Sequence, residues 1–144
     1  MNQVRPASCV AIGGRAILIE GETGSGKSSL ALALIDRGAM LIGDDAVALE
    51  LRIDASGAKQ LLASPPPNIA GLVEIRNVGL LHFPTAREVP VALLLRLDEQ
   101  APRFVEACET IDLLGTAIPL IRLWPGSPVL HLRAEAALKA HGLD

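Results

Sequence analysis

The chain has 144 residues, 50% of them apolar, and a formal net charge of −3. That length suits one domain with a substantial core, and the acidic balance argues against a nucleic-acid or anionic-membrane surface. Aromatic residues are confined to Phe83, Phe104 and Trp124, so the core is expected to be aliphatic and stacking platforms for single-stranded nucleic acid are lacking.

Apolar runs such as Val89 to Leu95 and Leu113 to Ile121 are too short to span a bilayer. Arg15 and two glycines interrupt the charged-then-apolar layout of a leader peptide. Cys9 and Cys108 lie far apart, with no CxxC and no His/Cys cluster to hold a metal. They are expected as buried thiols of a reducing cytosol, which places the chain in the cytoplasm.

In chain order, Ser8 to Ile12 and Arg15 to Ile19 flank Gly13-Gly14, a two-residue hairpin signal. Next comes Gly21-Glu22-Thr23-Gly24-Ser25-Gly26-Lys27-Ser28, a G-x-x-x-x-G-K-[ST] loop with no position missing. It stands between the apolar strand Ala16 to Ile19 and the helix-forming run Ser29 to Arg37. The glycines let consecutive N–H groups turn inward on a phosphate, and the helix aims the positive end of its dipole at the same anion. Lys27 can reach the β- and γ-phosphates of a nucleotide, and the Ser28 hydroxyl can ligate Mg²⁺. A Gly/Ser-rich linking turn would not explain the offsets of the lysine and the hydroxyl.

The helix is expected to stop at Gly38. Ala39 to Ile42 reads as a buried central strand next to the phosphate-loop strand. Ala46 to Ile53 and Lys59 to Ala63 read as a hairpin around Ser56-Gly57, and three prolines at 65 to 67 exclude a helix or central strand. Leu72 to Leu81 is ambiguous in type. Val89 to Leu97 is the clearest late strand, Pro102 to Glu109 a loop or short helix, and Ile118 to Leu123 a strand stopped by Trp124-Pro125-Gly126. Val129 to His141 has helical periodicity with Gly142 as its stop. The pattern is α/β with extra hairpins, so a mixed sheet is expected.

Asp44-Asp45 closes the strand that follows the helix, at the sheet edge where such folds bind ligands. One carboxylate can hold Mg²⁺ and the other can take the proton of an attacking hydroxyl. A turn-forming pair that only caps the strand is the alternative. Downstream of a complete phosphate loop the functional reading is favoured. Glu74 and Arg76 share one side of an extended segment. From spacing alone a plain surface ion pair is the favoured reading.

Taken together, GETGSGKSS (21–29), LALALIDRGAMLIGDDAVAL (30–49), VEIRNVGLL (73–81) and IPLIRLWPG (118–126) resemble the catalytic domain of HPr kinase/phosphorylase. The match runs over roughly residues 8 to 127, most of the 144-residue chain. The length is similar to the short form of some proteobacteria, which lacks the usual N-terminal domain. The resemblance implies an α/β P-loop nucleotide-binding domain with a mixed central sheet, PEP-carboxykinase-like. It implies an enzyme that uses ATP and Mg²⁺ to phosphorylate a serine of HPr or an HPr-like phosphocarrier. The reverse, phosphorolytic reaction and control of the phosphotransferase system are also implied, as is assembly into hexamers. Residue by residue, Gly21, Glu22, Thr23, Gly24, Ser25, Gly26, Lys27 and Ser28 would bind the nucleotide with Asp44. Ser28 and Glu74 would ligate Mg²⁺, and Lys27 would stabilise the transferring phosphoryl group. Asp45 would be the general base, and Arg103 matches a family arginine loosely.

The chain also departs from that family. Pro6 stands where the family has a histidine, Asn77 where it has glycine, and Ser127 where full-length members have arginine. These positions leave the phosphate loop and Asp45 untouched, while the missing arginine at Ser127 bears on the reverse reaction. Two other classes stay open. One is a small-metabolite kinase, although Arg76 to Arg103 offers no convincing lid. The other is a nucleotide-binding regulatory module that has lost its chemistry.

Overall fold

The computed structural model describes residues 1–144. The elements are β1 (Asn2–Arg5), β2 (Ser8–Ile12), β3 (Arg15–Glu20), α1 (Lys27–Asp36), β4 (Met40–Gly43), β5 (Val47–Ile53), β6 (Lys59–Ser64), β7 (Leu72–Ile75), β8 (Gly79–His82), β9 (Val89–Leu97), β10 (Glu109–Leu113), β11 (Thr116–Leu123) and α2 (Leu130–His141).

Several of these elements follow directly from local chemistry. Gly13 and Gly14, with φ of 57° and 80°, turn β2 back on β3, and the pair runs in register from Ser8↔Ile19 to Ile12↔Arg15. Residues 16–19 of β3 are fully buried, because both faces of this strand are covered. Ala16 and Leu18 pack into one core, Ile17 and Ile19 into another. The second core holds Leu30, Ala31 and Leu34 of α1 with Ala134, Ala137 and Leu138 of α2. The first is closed by the opposite, curled part of the sheet: Leu49 of β5, Leu61 of β6, Leu113 of β10 and Ile118 of β11. Both cores are aliphatic, and Phe104 and Trp124 stay largely exposed.

The sheet is mixed. β3 pairs parallel with β9 and antiparallel with β2, and β9 pairs parallel with β11 and antiparallel with β6. Along its main path the order is β1-β5-β6-β9-β3-β2-β4, with β11 and β10 branching from the end of β9. The β7–β8 hairpin forms a separate two-stranded sheet, which settles the ambiguous type of residues 72 to 81. Helix α1 ends as expected: Gly38 has φ 107°, and the N–H groups of Gly38 and Ala39 donate to the carbonyls of Ile35 (2.9 Å) and Leu34 (3.0 Å), a Schellman closure.

Several expectations are corrected. β4 is not a central strand and does not touch the phosphate-loop strand, because β2 folds back between them. It lies at the end of the sheet path, yet Leu41 and Ile42 are buried. A parallel bridge from Leu41 to Thr85 and a 2.9 Å bond from the Ala86 N–H to the Leu41 carbonyl cover its outer edge. Strands β1 and β10 were not legible locally, since each exists through pairing with a partner, β5 and β11. Of the two readings open for it, the segment 102 to 108 is loop. Cys9 is buried, as expected, but Cys108 is exposed, and both thiols are free. Burial pushes the Cys9 thiol far up from its ordinary range.

Candidate active site

β3 delivers the chain to Gly21 at the edge of the sheet. A Cβ at Gly21 would come 2.6 Å from Ser25 Oγ and 3.1 Å from Leu97 Cβ, so the loop packs closely around this glycine. Gly24 and Gly26 take φ of 80° and 102°, a region L side chains avoid. Ser25 N–H donates to the Glu22 carbonyl at 3.0 Å, and Leu30 N–H to the Gly26 carbonyl at 2.9 Å, which starts α1. No side chain caps that helix and no acidic residue occupies its first turn. Its leading N–H groups therefore point at the loop's hollow, where an anion satisfies them. Lys27 Nζ donates to the carbonyls of Gly21 (2.8 Å) and Glu22 (3.1 Å), which fixes the ammonium beside the loop.

The two aspartates come from the end of β4. β4 runs antiparallel to β2, and β2 antiparallel to β3, so the ends of β4 and β3 reach the same sheet edge although the strands are not neighbours. Cys9 pairs with Gly43 and Val10 with Leu41, leaving Ile42 as an extra residue that bends the strand end. A Cβ on Gly43 would lie 2.1 Å from the Ala46 carbonyl oxygen, so glycine is required for the tight turn. Asp44 Oδ1 accepts the Ser28 hydroxyl at 2.7 Å and the Ser8 hydroxyl at 3.0 Å. Asp45 adopts φ 62°, which Asp tolerates better than most residues. It is exposed on the cleft.

That cleft has a volume of about 530 Å³ and is lined by the loop, Leu32, Asp45, Glu74, Ile75 and Arg76. The β7–β8 hairpin brings in the last three. Its turn passes through Asn77, φ 71°, with Val78 N–H on the Ile75 carbonyl at 3.0 Å. Asn enters the left-handed region more readily than other side chains, which accounts for Asn at a position where glycine also fits. The favoured ion pair between Glu74 and Arg76 is not formed, and both side chains face the cleft instead.

A second cleft, about 620 Å³, lies beyond Gly21 and Glu22 and contains Pro6. Glu20 pairs there with Arg5 and with Arg96 (3.2 Å), and Arg122 with Asp98 (3.1 Å), bracing the ends of β3, β9 and β11. Arg103 lies exposed on the β9–β10 loop and lines neither cleft. Nor do His82, His131 or His141. Ser127 is buried and its hydroxyl accepts the Val129 N–H at 3.2 Å before α2.

The metal donors that line the first cleft are oxygens, the Ser28 hydroxyl and the carboxylates of Asp45 and Glu74, with Asp44 behind them bonded to Ser28. This set suits Mg²⁺. No cluster of three or more His, Cys, Asp or Glu side chains is assembled to cage a metal.

The profile of the HPr serine kinase C-terminal domain matches residues 2–87. The chain belongs to this family. The match includes the phosphate loop, both aspartates and the Glu74–Arg76 hairpin. Among curated relatives, the HPr kinase/phosphorylase of Cupriavidus necator is 33% identical over 121 residues, covering 76% of this chain and 36% of the relative. That of Brevibacillus brevis is 34% identical over 120 residues, covering 75% of this chain and 37% of the relative. The chain thus spans little more than a third of the length of these relatives, 36% and 37%. The solved Hpr(Ser) kinase/phosphatase from Coxiella burnetii superposes with a TM-score of 0.79 at 30% identity, covering 96% of this chain and 90% of that one. The P-loop fold with a mixed central sheet expected from the family is therefore the fold observed.

Ser8 is the site residue that sequence reasoning missed. One serine at the start of an apolar strand carries no local signal. Only the β2–β4 pairing places it beside Asp44.

Proposed function

We propose that this chain is an ATP- and Mg²⁺-dependent protein-serine kinase acting on HPr or an HPr-like phosphocarrier. The observation that carries the reading is the 2.7 Å bond from the Ser28 hydroxyl to Asp44, with Asp45 next in sequence on the cleft in front of the phosphate loop. Loop amides and the α1 N-terminus bind the phosphates, and Lys27 neutralises charge on the transferring group. Ser28, Asp44 and Glu74 would hold Mg²⁺, which supplies positive charge to the phosphate oxygens when bound. Asp45 accepts the proton of the acceptor serine as that oxygen attacks the γ-phosphorus and ADP leaves. Arg76 stands across the cleft as a second cation for the nucleotide or the acceptor. Arg103 has no part in this reading.

The reverse reaction, in which inorganic phosphate takes the phosphoryl group, is the weaker half of the proposal. Pro6 offers no group that moves a proton where the family has histidine. The rest of the proposal follows the family: self-association to hexamers, a cytoplasmic setting, a role in the phosphotransferase system and no nucleic-acid partner. No helix is long and apolar enough to cross a membrane.

The test is transfer of label from γ-labelled ATP, with Mg²⁺, to the HPr-like protein of the same organism and to its Ser→Ala variant. Label on the unaltered carrier alone supports the serine kinase. ATP binding without any labelled acceptor would instead favour a nucleotide-responsive module, and turnover of a free metabolite a small-molecule kinase.

A further inference from the structure

We infer that Ser8 is a positioning residue which orders both aspartates at once. Its side chain is fully buried, at 0% exposure, while Asp45 lines the cleft and Asp44 is bonded to Ser28, which lines it. Its hydroxyl donates its proton to Asp44 Oδ1 at 3.0 Å, and its oxygen accepts the Asp45 backbone N–H at 3.4 Å. One hydroxyl therefore links the carboxylate that answers Ser28 to the backbone of the residue held at φ 62°.

The chemistry follows from hydrogen-bond capacity. Asp44 Oδ1 takes two hydroxyl donors, from Ser8 and Ser28, and this fixes the rotation of the carboxyl group. Oδ2 receives no hydrogen bond from the protein and remains as the oxygen available to a cation or its water. The Asp45 amide is anchored from the opposite side. A left-handed residue outside glycine persists only where its surroundings hold it. Ser8 reaches both because it sits at the end of β2, paired with Ile19 of β3 on one side and one residue before the Cys9↔Gly43 pair on the other. It is the only side chain bonded both to Asp44 and to the Asp45 backbone.

This inference rests on the roles proposed above for Asp44 and Asp45. Its test uses ADP binding by calorimetry across a Mg²⁺ titration, together with carrier labelling, for the unaltered chain, Ser8→Ala and Ser8→Thr. Ser8→Ala is expected to bind ADP without Mg²⁺ as the unaltered chain does. The Mg²⁺ concentration that half-saturates the tightening of ADP is expected to rise about 10-fold or more, in line with the loss of an outer-shell partner of a metal ligand. In the labelling assay kcat is expected to fall by about 10- to 100-fold with KM for the carrier unchanged. Ser8→Thr restores most of both. If the alanine variant does not fold, Ser8→Cys, which keeps the volume and weakens the hydrogen bond, gives the same ordering. A folded Ser8→Ala or Ser8→Cys protein with the original Mg²⁺ dependence and kcat overturns the inference. If the unaltered chain labels no carrier but its Mg²⁺-dependent ADP binding is weakened by Ser8→Ala, the kinase reading fails and the Ser8 inference stands. If its ADP binding does not respond to Mg²⁺, both fall.

Discussion

Ser28 on the first turn of α1 and Asp44 at the end of β4 are joined by a 2.7 Å hydrogen bond across sixteen positions of sequence. The bond ties the phosphate loop to the strand end that carries the second aspartate. It thereby holds Asp45 at a fixed separation from the phosphate loop.

Asp45 makes no hydrogen bond through its carboxylate, and its role is confined to the cleft. Asp45→Ala is therefore expected to leave ATP binding within about threefold and to lower transfer by 10²–10⁴-fold, roughly the range of a positioned general base. Calorimetry with ATP and single-turnover labelling of the carrier separate the two effects. Unimpaired transfer would remove Asp45 from the chemistry.

Gly43 is a packing requirement of the turn that presents both aspartates. A Cβ there would meet the Ala46 carbonyl oxygen at 2.1 Å, and backbone gives way less easily than a flexible side chain. Gly43→Ala should destabilise the fold by about 1–3 kcal/mol, read from the urea midpoint. It should also weaken the response of ADP binding to Mg²⁺, since the displaced turn carries Asp44.

Arg122 joins β11 to the end of β9 and to β10, bonding Asp98 (3.1 Å) and Glu109 (2.8 and 3.2 Å). The Arg122 guanidinium holds the Glu109 carboxyl below its ordinary range. Asp98 is lowered chiefly by the Gln100 amide and then by Arg122. A carboxyl lowered on folding contributes stability above its unfolded pKa and loses it as the pH falls through that value and below. Arg122→Ala should thus be less stable than the unaltered chain near neutrality. The gap should narrow as the pH drops below about 4.3, the ordinary glutamate value. Urea midpoints between neutral and acid pH measure it, and a gap independent of pH would show that Arg122 acts through packing alone.

The two cysteines should separate by accessibility. Cys108 is exposed and Cys9 fully buried, with the Cys9 thiol held protonated by its surroundings. A thiol reagent at mild alkaline pH is expected to titrate one group rapidly and the second only after denaturant is added. Two rapid thiols would mean that β2 opens from the sheet.

The sequence by itself determined the parts that rest on contiguous residues. The Gly21–Ser28 loop needs only local glycines and a following helix, the 8–19 hairpin only its Gly13-Gly14 turn, and α1 only its run of helix formers stopped by Gly38. Tertiary structure decided which of these pieces meet. Insertion of β2 between β3 and β4 moved the aspartates one strand farther from the loop than periodicity suggests. The same pairing brought Ser8 beneath them. Glu74 and Arg76, which spacing alone favours as a surface pair, face the cleft because the β7–β8 hairpin is set apart from the main sheet and packs against α1. Periodicity reports which face of a strand is apolar. Strand neighbours are chosen by burial and backbone hydrogen bonding over long sequence separations, and those partners leave no mark on the residues that join them.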